Sequence, residues 1–309
     1  MTQRITSAPC CWGVDDVRNP HLPPWTKVLD EAAAAGYAGL ELGPWGYLPQ
    51  DPTRLGAELR QRGLHIVAGT IFDDLVSPEN LEKLRTQADQ ICALLKQLPA
   101  PPADAGKAHP APYLVLIDWG SLARDLAAGR SAQAPRLAEA DWRRMVEHIR
   151  TLARLARDRH GVRAVIHPHA GGFIEFDDEI RRLVAEVPHD EAGLCLDTGH
   201  LFYSGMNPQA WLREHAARLD YVHFKDVNAE RLARILAGEP VRFFDACAQG
   251  VMCPMGQGAL DYPAIRQTLL DIGYQGAITV EQERDPRHAD TSLRDVRASR
   301  EYLRGIGFA

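Results

Sequence analysis

Short runs of apolar residues alternate along the whole chain with longer segments that carry an apolar residue every three or four positions. The short runs predict buried strands, and the longer segments predict amphipathic helices. Strands and helices that alternate in this way build a parallel sheet joined by crossover helices. The eight predicted strands cover residues 5–11, 37–42, 64–70, 113–117, 163–166, 193–196, 219–224 and 277–280.

Proline and glycine mark the ends of the predicted helices. Asp51-Pro52, Ser77-Pro78 and Asn207-Pro208 each predict a helix N-terminus, because proline is favoured in the first turn. Further helices are predicted over residues 25–35, 138–159, 177–187, 262–272 and 292–303. Three segments are predicted without regular structure: a loop at 98–112, a surface insertion at 121–136 and an irregular stretch at 228–258.

Eight strand and helix units in about 300 residues predict an α/β fold, a (β/α)8 TIM barrel in which residues 1–309 form a single domain. A doubly wound open sheet is the alternative. The chain has no G-x-G-x-x-G motif after its first strand, so the dinucleotide-binding form of that alternative lacks its signature.

Composition excludes several classes of function. The chain has 309 residues, a net charge of −6 and a sequence pI near 6.1, which give no basic surface for nucleic acid. No apolar run is long enough for a membrane span, and the N-terminal residues lack the apolar core of a signal peptide. The six scattered cysteines match no structural zinc motif. We therefore expect a cytoplasmic protein with reduced thiols that binds neither nucleic acid nor membrane.

Acidic and imidazole side chains gather at the carboxyl ends of the predicted strands, where a parallel barrel builds its active site. Each has an ordinary structural role open to it; Asp197, for example, can cap a helix. Together they would bring like charges close unless a cation were present, which favours a divalent metal ion such as Mn²⁺, Co²⁺, Fe²⁺ or Zn²⁺. The residues are Glu41, Asp118, His167, His169, Asp197, His200, His223, Lys225, Glu281 and Glu283.

Seven ordered segments resemble the sugar isomerase/epimerase superfamily with the xylose isomerase-like barrel, and within it the inosose (2-keto-myo-inositol) dehydratases. They are Trp12-Gly-Val, Gly36-Tyr-Ala-Gly-Leu-Glu-Leu-Gly-Pro, His167-Pro-His-Ala-Gly-Gly, Leu196-Asp-Thr-Gly-His-Leu, Val222-His-Phe-Lys-Asp, Met255-Gly-Gln-Gly and Val280-Glu-Gln-Glu. The resemblance spans nearly the whole chain. It implies a metal-dependent lyase of inositol catabolism whose substrate is a small polyol or ketose.

The superfamily takes its metal ligands, Glu, Asp, His and Glu, from strands five to eight. The resemblance implies that Asp197, His223 and Glu281 are three of them in this chain. The fourth position departs from the pattern, because His167 stands where strand five should supply a carboxylate. Either His167 binds the metal, or Glu175 reaches back from the following loop. We favour Glu175, since Gly171 and Gly172 allow that loop to turn.

The same resemblance implies a mechanism in which a polyhydroxy ketone loses an α-proton to give an enediolate and then a β-hydroxyl. The residues predicted to act as acid or base are His200, Lys225 and Glu283, with His200 favoured. The residues predicted to bind substrate are Trp12, Glu41, His167 and His169.

Three other functions remain open on the sequence. A sugar or sugar phosphate isomerase or epimerase would use the same metal set. An apurinic endonuclease would need a basic face, against which the acidic balance argues. A non-catalytic sugar-binding barrel would lack metal ligands. The sequence also leaves open whether the chain forms a homo-oligomer.

Overall fold

The computed structural model of the protein describes residues 4–102 and 107–309. Eight parallel strands close into a barrel in the order β1, β10, β7, β6, β5, β4, β3, β2. The strands are β1 (Ile5–Ser7), β2 (Gly39–Glu41), β3 (His65–Asp73), β4 (Tyr113–Asp118), β5 (Arg163–Ile166), β6 (Gly193–Asp197), β7 (Leu219–Phe224), β8 (Asp226–Val227), β9 (Met252–Cys253) and β10 (Ile278–Val280). Of these, β8 and β9 form a separate antiparallel pair. The predicted TIM barrel is confirmed.

Helices surround the barrel and follow the predicted order. They are α1 (Trp25–Ala34), α2 (Pro52–Arg62), α3 (Leu81–Gln97), α4 (Leu122–Leu126), α5 (Glu139–His160), α6 (Asp177–Glu186), α7 (Thr198–Tyr203), α8 (Pro208–Glu214), α9 (Ala229–Ala237), α10 (Phe243–Ala248), α11 (Tyr262–Asp271) and α12 (Ser292–Gly305). Asp51 caps α2 as predicted, because its side chain accepts a hydrogen bond from the Arg54 N–H. Among the described residues, the helices are too short or too polar to cross a membrane.

The apolar residues form two layers. One layer lies between the sheet and the helices, where the buried side of α5 packs. The other fills the barrel interior and contains Val67, Ala68, Tyr113, Val115, Ile117, Val165, Cys195, Tyr221 and Ala277. Because the interior is packed with side chains, a ligand can enter only at a mouth of the barrel.

Three predicted boundaries or segments need correction, and a fourth segment agrees with its prediction. The first strand ends at Ser7, since Pro9–Trp12 form a 3-10 turn. The surface insertion at 121–136 contains α4, whose Arg124 is completely buried. The prediction that 228–258 is irregular is wrong, because it holds α9, α10 and β9. The loop at 98–112 has no helix or strand in its described parts, and residues 103–106 lie outside the described residues.

Candidate metal centre

The register of the barrel strands places one set of polar side chains over the barrel interior. Side chains two residues apart point to the same face of a strand. The interior residues Val165, Cys195 and Tyr221 are each followed, two positions later, by a polar residue at the carboxyl end of the strand. Those residues are His167, Asp197 and His223, and Glu281 follows the interior residue Ala277 by four positions.

These four side chains converge. Each of His167, Asp197, His223 and Glu281 offers one nitrogen or oxygen atom, and the four atoms lie within 4.8 Å of one another. Asp197 and His223 are direct neighbours in the sheet, and His223 Nδ1 lies 3.1 Å from Glu281 Oε2. The three predicted ligands from β6, β7 and the end of β10 are therefore brought together, with His167 as a fourth member.

Several of these atoms are buried without a hydrogen-bond partner. Both nitrogens of His167, Asp197 Oδ2 and His223 Nδ1 are in this state. A buried polar atom with no partner costs free energy, about 1 to 3 kcal/mol each. Lone pairs that face one another in this way fit a divalent cation, and the oxygen and nitrogen donors suit Mn²⁺, Co²⁺, Fe²⁺ or Zn²⁺.

Glu41 orients one of the imidazoles. Its Oε1 lies 2.8 Å from His223 Nε2 and accepts a hydrogen bond from the Tyr221 hydroxyl at 2.8 Å. With its Nε2–H donated to Glu41, His223 keeps the Nδ1 lone pair for the cluster. Glu41 was predicted to bind substrate; it lines the adjacent cavity but also holds this ligand in place.

Neighbouring basic side chains keep the two carboxylates of the cluster, Asp197 and Glu281, ionised. Burial by itself would raise the pKa of Glu281, but His223 and Lys225 lower that pKa well below its usual range. Burial alone would also raise the pKa of Asp197, but Lys225 and His167 outweigh burial and lower that pKa. Both side chains are therefore available as anionic ligands at neutral pH.

The two carboxylate oxygens of Asp197 have different surroundings. Its Oδ1 accepts hydrogen bonds from the Gly199 and His200 N–H groups and so caps α7. Its Oδ2 points to the cluster. The helix follows the strand directly, so His200 lies within α7.

Glu175 lies elsewhere. Its Oε1 accepts hydrogen bonds from the Gly129 N–H and the Ser204 hydroxyl, and its Oε2 accepts one from the Gly171 N–H. Arg124 lies 3.5 Å away and makes a two-bond ion pair with Glu179. The loop after β5 does turn at Gly171, as expected, but it turns Glu175 into this buried network. Glu175, which was expected to supply the fourth ligand, therefore lies outside the cluster, and His167 lies in the cluster instead.

Lys225 lies beside the cluster and is fully buried. Its ammonium contacts Glu283 Oε1 and lies 3.2 Å from Glu281 Oε2 and 3.5 Å from Asp197 Oδ2. It also lies 2.9 Å from His200 Nε2. Neither Lys225 nor His200, both predicted to act as acid or base, is among the residues that line the inner cavity beside the cluster.

A cavity of about 150 Å³ opens beside the cluster. Of the predicted acid, base and substrate residues, Glu41, His167, His169 and Glu283 line it. Glu283 keeps one buried oxygen, Oε2, without a hydrogen-bond partner. Burial lowers the pKa of His169 well below its usual value, with His167 and Lys225 acting in the same direction, so this imidazole is neutral.

Trp12 was predicted to bind substrate, and this is corrected. Its ring is fully buried in the core, and its indole N–H donates to Glu31 Oε2 at 2.7 Å. The tryptophan that lines the cavity is Trp45. Trp45 directly follows the segment 36–44 that resembles the superfamily, but an aromatic residue in a loop is by itself no sign of a binding site.

Three further cavity residues were missed from the sequence. Asp15 lines the cavity, and burial together with Glu283 raises the pKa of its carboxyl well above its usual value. Cys10 Sγ lies within 4.8 Å of carboxylate oxygens of Glu281 and Glu283. Phe244 comes from α10, in the segment predicted to be irregular. Asp15 and Phe244 stand at no predicted strand end, and Cys10, inside the first predicted strand, was expected only to be a reduced thiol.

Comparison with known proteins agrees with this architecture. A family model described as xylose isomerase-like TIM barrel matches residues 29–306. The rhizopine catabolism protein MocC of Rhizobium meliloti is 32% identical over 292 residues, which cover 94% of this chain and 84% of that protein. The inosose dehydratase of Geobacillus kaustophilus is 31% identical over 291 residues, or 92% of this chain and 88% of that one.

Solved structures show the same fold at low sequence identity. D-allulose 3-epimerase from Methylomonas sp. superposes with a TM-score of 0.68 at 18% identity, covering 99% of this chain and 98% of that one. The protein IOLI, whose structure holds a zinc atom, gives a TM-score of 0.70 at 15% identity, with 98% of each chain covered.

Proposed function

Because the chain belongs to the xylose isomerase-like TIM barrel family, we propose that it is a divalent-metal-dependent dehydratase that removes water from a keto-inositol or a similar polyhydroxy ketone. The observation that carries the proposal is the group of four converging ligand atoms beside a cavity that also holds Glu283 and Asp15. Several relatives that align over most of the chain are named inosose dehydratase, which favours this reaction class.

We assign the metal ligands to His167, Asp197, His223 and Glu281. A divalent cation held there would polarise the ketone carbonyl and stabilise the charge that develops on its oxygen. Two carboxylates and two neutral imidazoles balance the charge of the ion, and four protein ligands leave room for substrate oxygens. Glu41 holds His223 in the tautomer that this role requires.

Glu283 is the proposed base. Its Oε2 has no hydrogen-bond partner and lies at the cavity, while Oε1 contacts the Lys225 ammonium. Burial raises the pKa of Glu283, although Lys225 opposes the shift. A carboxylate with a raised pKa is a stronger base than one in water, and the neighbouring ammonium keeps it ionised. Glu283 takes the α-proton, and the C–H electron pair forms the double bond of the enediolate.

Asp15 is the proposed acid. Burial and the neighbouring Glu283 raise the pKa of the Asp15 carboxyl well above its usual value, which favours the protonated form, and Asp15 lines the same cavity as Glu283. When the enediolate collapses, its electrons expel the β-hydroxyl, which takes the proton of Asp15 and leaves as water. Two carboxyl groups with opposite protonation states thus divide the acid and base roles.

The fourth ligand can be identified by metal content. We expect His167→Ala to lower the metal bound per chain by at least about tenfold at a fixed free concentration, because a ligand is lost. Glu175→Gln should retain the metal, since Glu175 bonds to Gly129, Gly171 and Ser204 instead. Elemental analysis of both purified variants makes the comparison. Loss of metal in Glu175→Gln with retention in His167→Ala would reverse the assignment.

Metal affinity is expected to rise with pH. Burial alone would lower the pKa of His223, but Cys195, Glu281 and Glu41 raise it well above its usual value. The metal-free site therefore holds a proton on His223 that must leave when a cation binds, whereas Asp197 and Glu281 are already ionised. We expect affinity to increase by up to about tenfold per pH unit between about pH 6 and about pH 8.

Competition with a chromophoric chelator measures this slope. His223→Gln, which cannot hold the proton, should bind metal weakly and with a flatter pH dependence. A wild-type affinity that does not change with pH would contradict the assignment of His223 as a ligand.

The second candidate function is an epimerase or isomerase that uses the same metal group. It would also remove an α-proton, but it would return a proton to carbon and keep the β-hydroxyl. Incubation of the metal-loaded protein with keto-inositols and ketoses, followed by NMR, separates the two: the proposal expects an unsaturated product with loss of water. An epimer with all hydroxyl groups retained would move the protein to the second candidate.

A further inference from the structure

A second, much larger cavity adjoins the one beside the metal centre and shares lining residues with it. It measures about 1220 Å³, against about 150 Å³ for the inner cavity. Asp15, Pro44, Trp45, Phe72 and Phe244 line both. Cavities that bind drug-sized ligands measure roughly 300 to 1,000 Å³. A single small ring therefore fills the inner cavity and leaves the outer one open.

Aromatic side chains line the outer cavity. Trp45, Phe72 and Phe244 are partly buried, and the Phe72 and Phe244 ring centroids are 6.0 Å apart. Trp119, just after β4, also lines it and is 45% exposed, one of the few large apolar side chains in the described chain with so much exposed surface. Flat aromatic faces at the mouth of a cavity offer contact area to an uncharged ring that presents C–H groups.

Each arginine and lysine side chain of the outer cavity contacts a carboxylate, and the remaining basic side chain there, His21, is exposed. Arg18 bonds to Asp16, Lys83 to Asp73, Arg242 to Asp125, Arg284 to Asp295 and Arg287 to Asp285. A phosphate group is bound by cations that are free to turn toward it or by backbone N–H groups. The outer cavity therefore favours a neutral substituent over a phosphorylated one.

Resting on the proposed function, we infer that the preferred substrate is an unphosphorylated keto-cyclitol or ketose that carries a second ring, such as a glycosyl group. The reacting ring occupies the inner cavity, between the metal ligands and Glu283. The second ring lies against Trp45 and Trp119 in the outer cavity. The residues of the inner cavity perform the reaction. The aromatic residues of the outer cavity determine which substrates bind.

Binding of non-reactive ligands tests this inference apart from the reaction. Calorimetry of the metal-loaded protein with inositol, an O-glucosyl inositol and an inositol phosphate compares the three substituents, and none of these ligands has a ketone. We expect the glucoside to bind at least about tenfold more tightly than inositol, and the phosphate no more tightly than inositol. Equal affinity for the glucoside and inositol, or tightest binding of the phosphate, would overturn the inference.

Trp119→Ala identifies where the second ring lies. We expect the variant to lose about tenfold in affinity for the glucoside and to change by less than about twofold for inositol. Leu122→Ala is the matched control, since Leu122 is 62% exposed on the neighbouring helix α4 and does not line the outer cavity. An unchanged affinity for the glucoside in Trp119→Ala would also overturn the inference.

The same ligands with a ketone on the reacting ring then test turnover. If they bind with the expected preference and none loses water, the dehydratase proposal fails while the two-ring assignment stands. If unsubstituted keto-inositol is dehydrated with a kcat/KM equal to that of its glucoside, the two-ring assignment fails and the dehydratase proposal stands.

Discussion

Asp197→Asn is expected to abolish metal binding and activity while the barrel remains folded. The asparagine Oδ1 can still accept the Gly199 and His200 N–H groups, so the cap of α7 is kept. The atom that replaces Oδ2 is an NH₂ group, which donates hydrogen bonds and binds no cation. Changing an outer-shell partner already costs about 10- to 100-fold in metal affinity, so a ligand should cost at least about 100-fold.

Loss of the cation should remove several kcal/mol of transition-state stabilisation, which corresponds to a fall in kcat/KM of at least about 10³-fold. Asp118→Asn is the matched control. Asp118 is also a buried aspartate at a strand end, but it accepts hydrogen bonds from the Leu75, Gly120 and Phe173 N–H groups outside the cluster. The control should lose stability and keep its metal. Full metal occupancy in Asp197→Asn would overturn the ligand set.

Glu283→Gln is expected to abolish turnover without loss of metal. The amide cannot accept the α-proton, and removal of a general base lowers kcat by about 10²- to 10⁴-fold. Its shape is unchanged, and the amide oxygen can still accept a hydrogen bond from Lys225. The cluster contains Glu281 and not Glu283, so elemental analysis should still find one metal ion per chain.

Glu281→Gln is the comparison variant. Glu281 lies two positions before Glu283 and belongs to the cluster, so this variant should lose metal as well as activity. If Glu283→Gln kept more than about a tenth of the wild-type kcat, general base catalysis by this residue would be excluded, since such catalysis contributes at least about 10²-fold. If it lost its metal, Glu283 would belong to the ligand set instead.

The barrel could be predicted from the alternation of strands and helices, and the resemblance to the superfamily selected Asp197, His223 and Glu281 from the polar residues at the predicted strand ends. Strands that alternate with helices define the barrel. Within β6 and β7, the alternation that puts Cys195 and Tyr221 in the barrel interior also puts Asp197 and His223 above it. The same count from Val165 leads to His167. Strand register thus favoured His167 over Glu175, although the family pattern of a carboxylate on strand five had suggested otherwise.

Other features depend on tertiary contacts that no local pattern records. Glu175 lies outside the metal cluster because it bonds to Gly129 and Ser204 and pairs with Arg124. These three residues lie in separate parts of the chain. Helices α9 and α10 were missed because residues 238–240, Gly-Glu-Pro, interrupt them and each is short. Phe243 and Phe244 pack against His169, a contact between distant parts of the chain that no local sequence pattern indicates.

The most direct test of metal-dependent dehydration is the reaction of one substrate with and without metal. The metal-loaded protein is incubated with 2-keto-myo-inositol, or with its glucoside, and product is followed by NMR before and after exhaustive chelation and again after a divalent ion is restored. We expect an unsaturated product with loss of water that stops on chelation and resumes on restoration. Water loss that continues at the same rate after the metal has been removed would contradict this expectation.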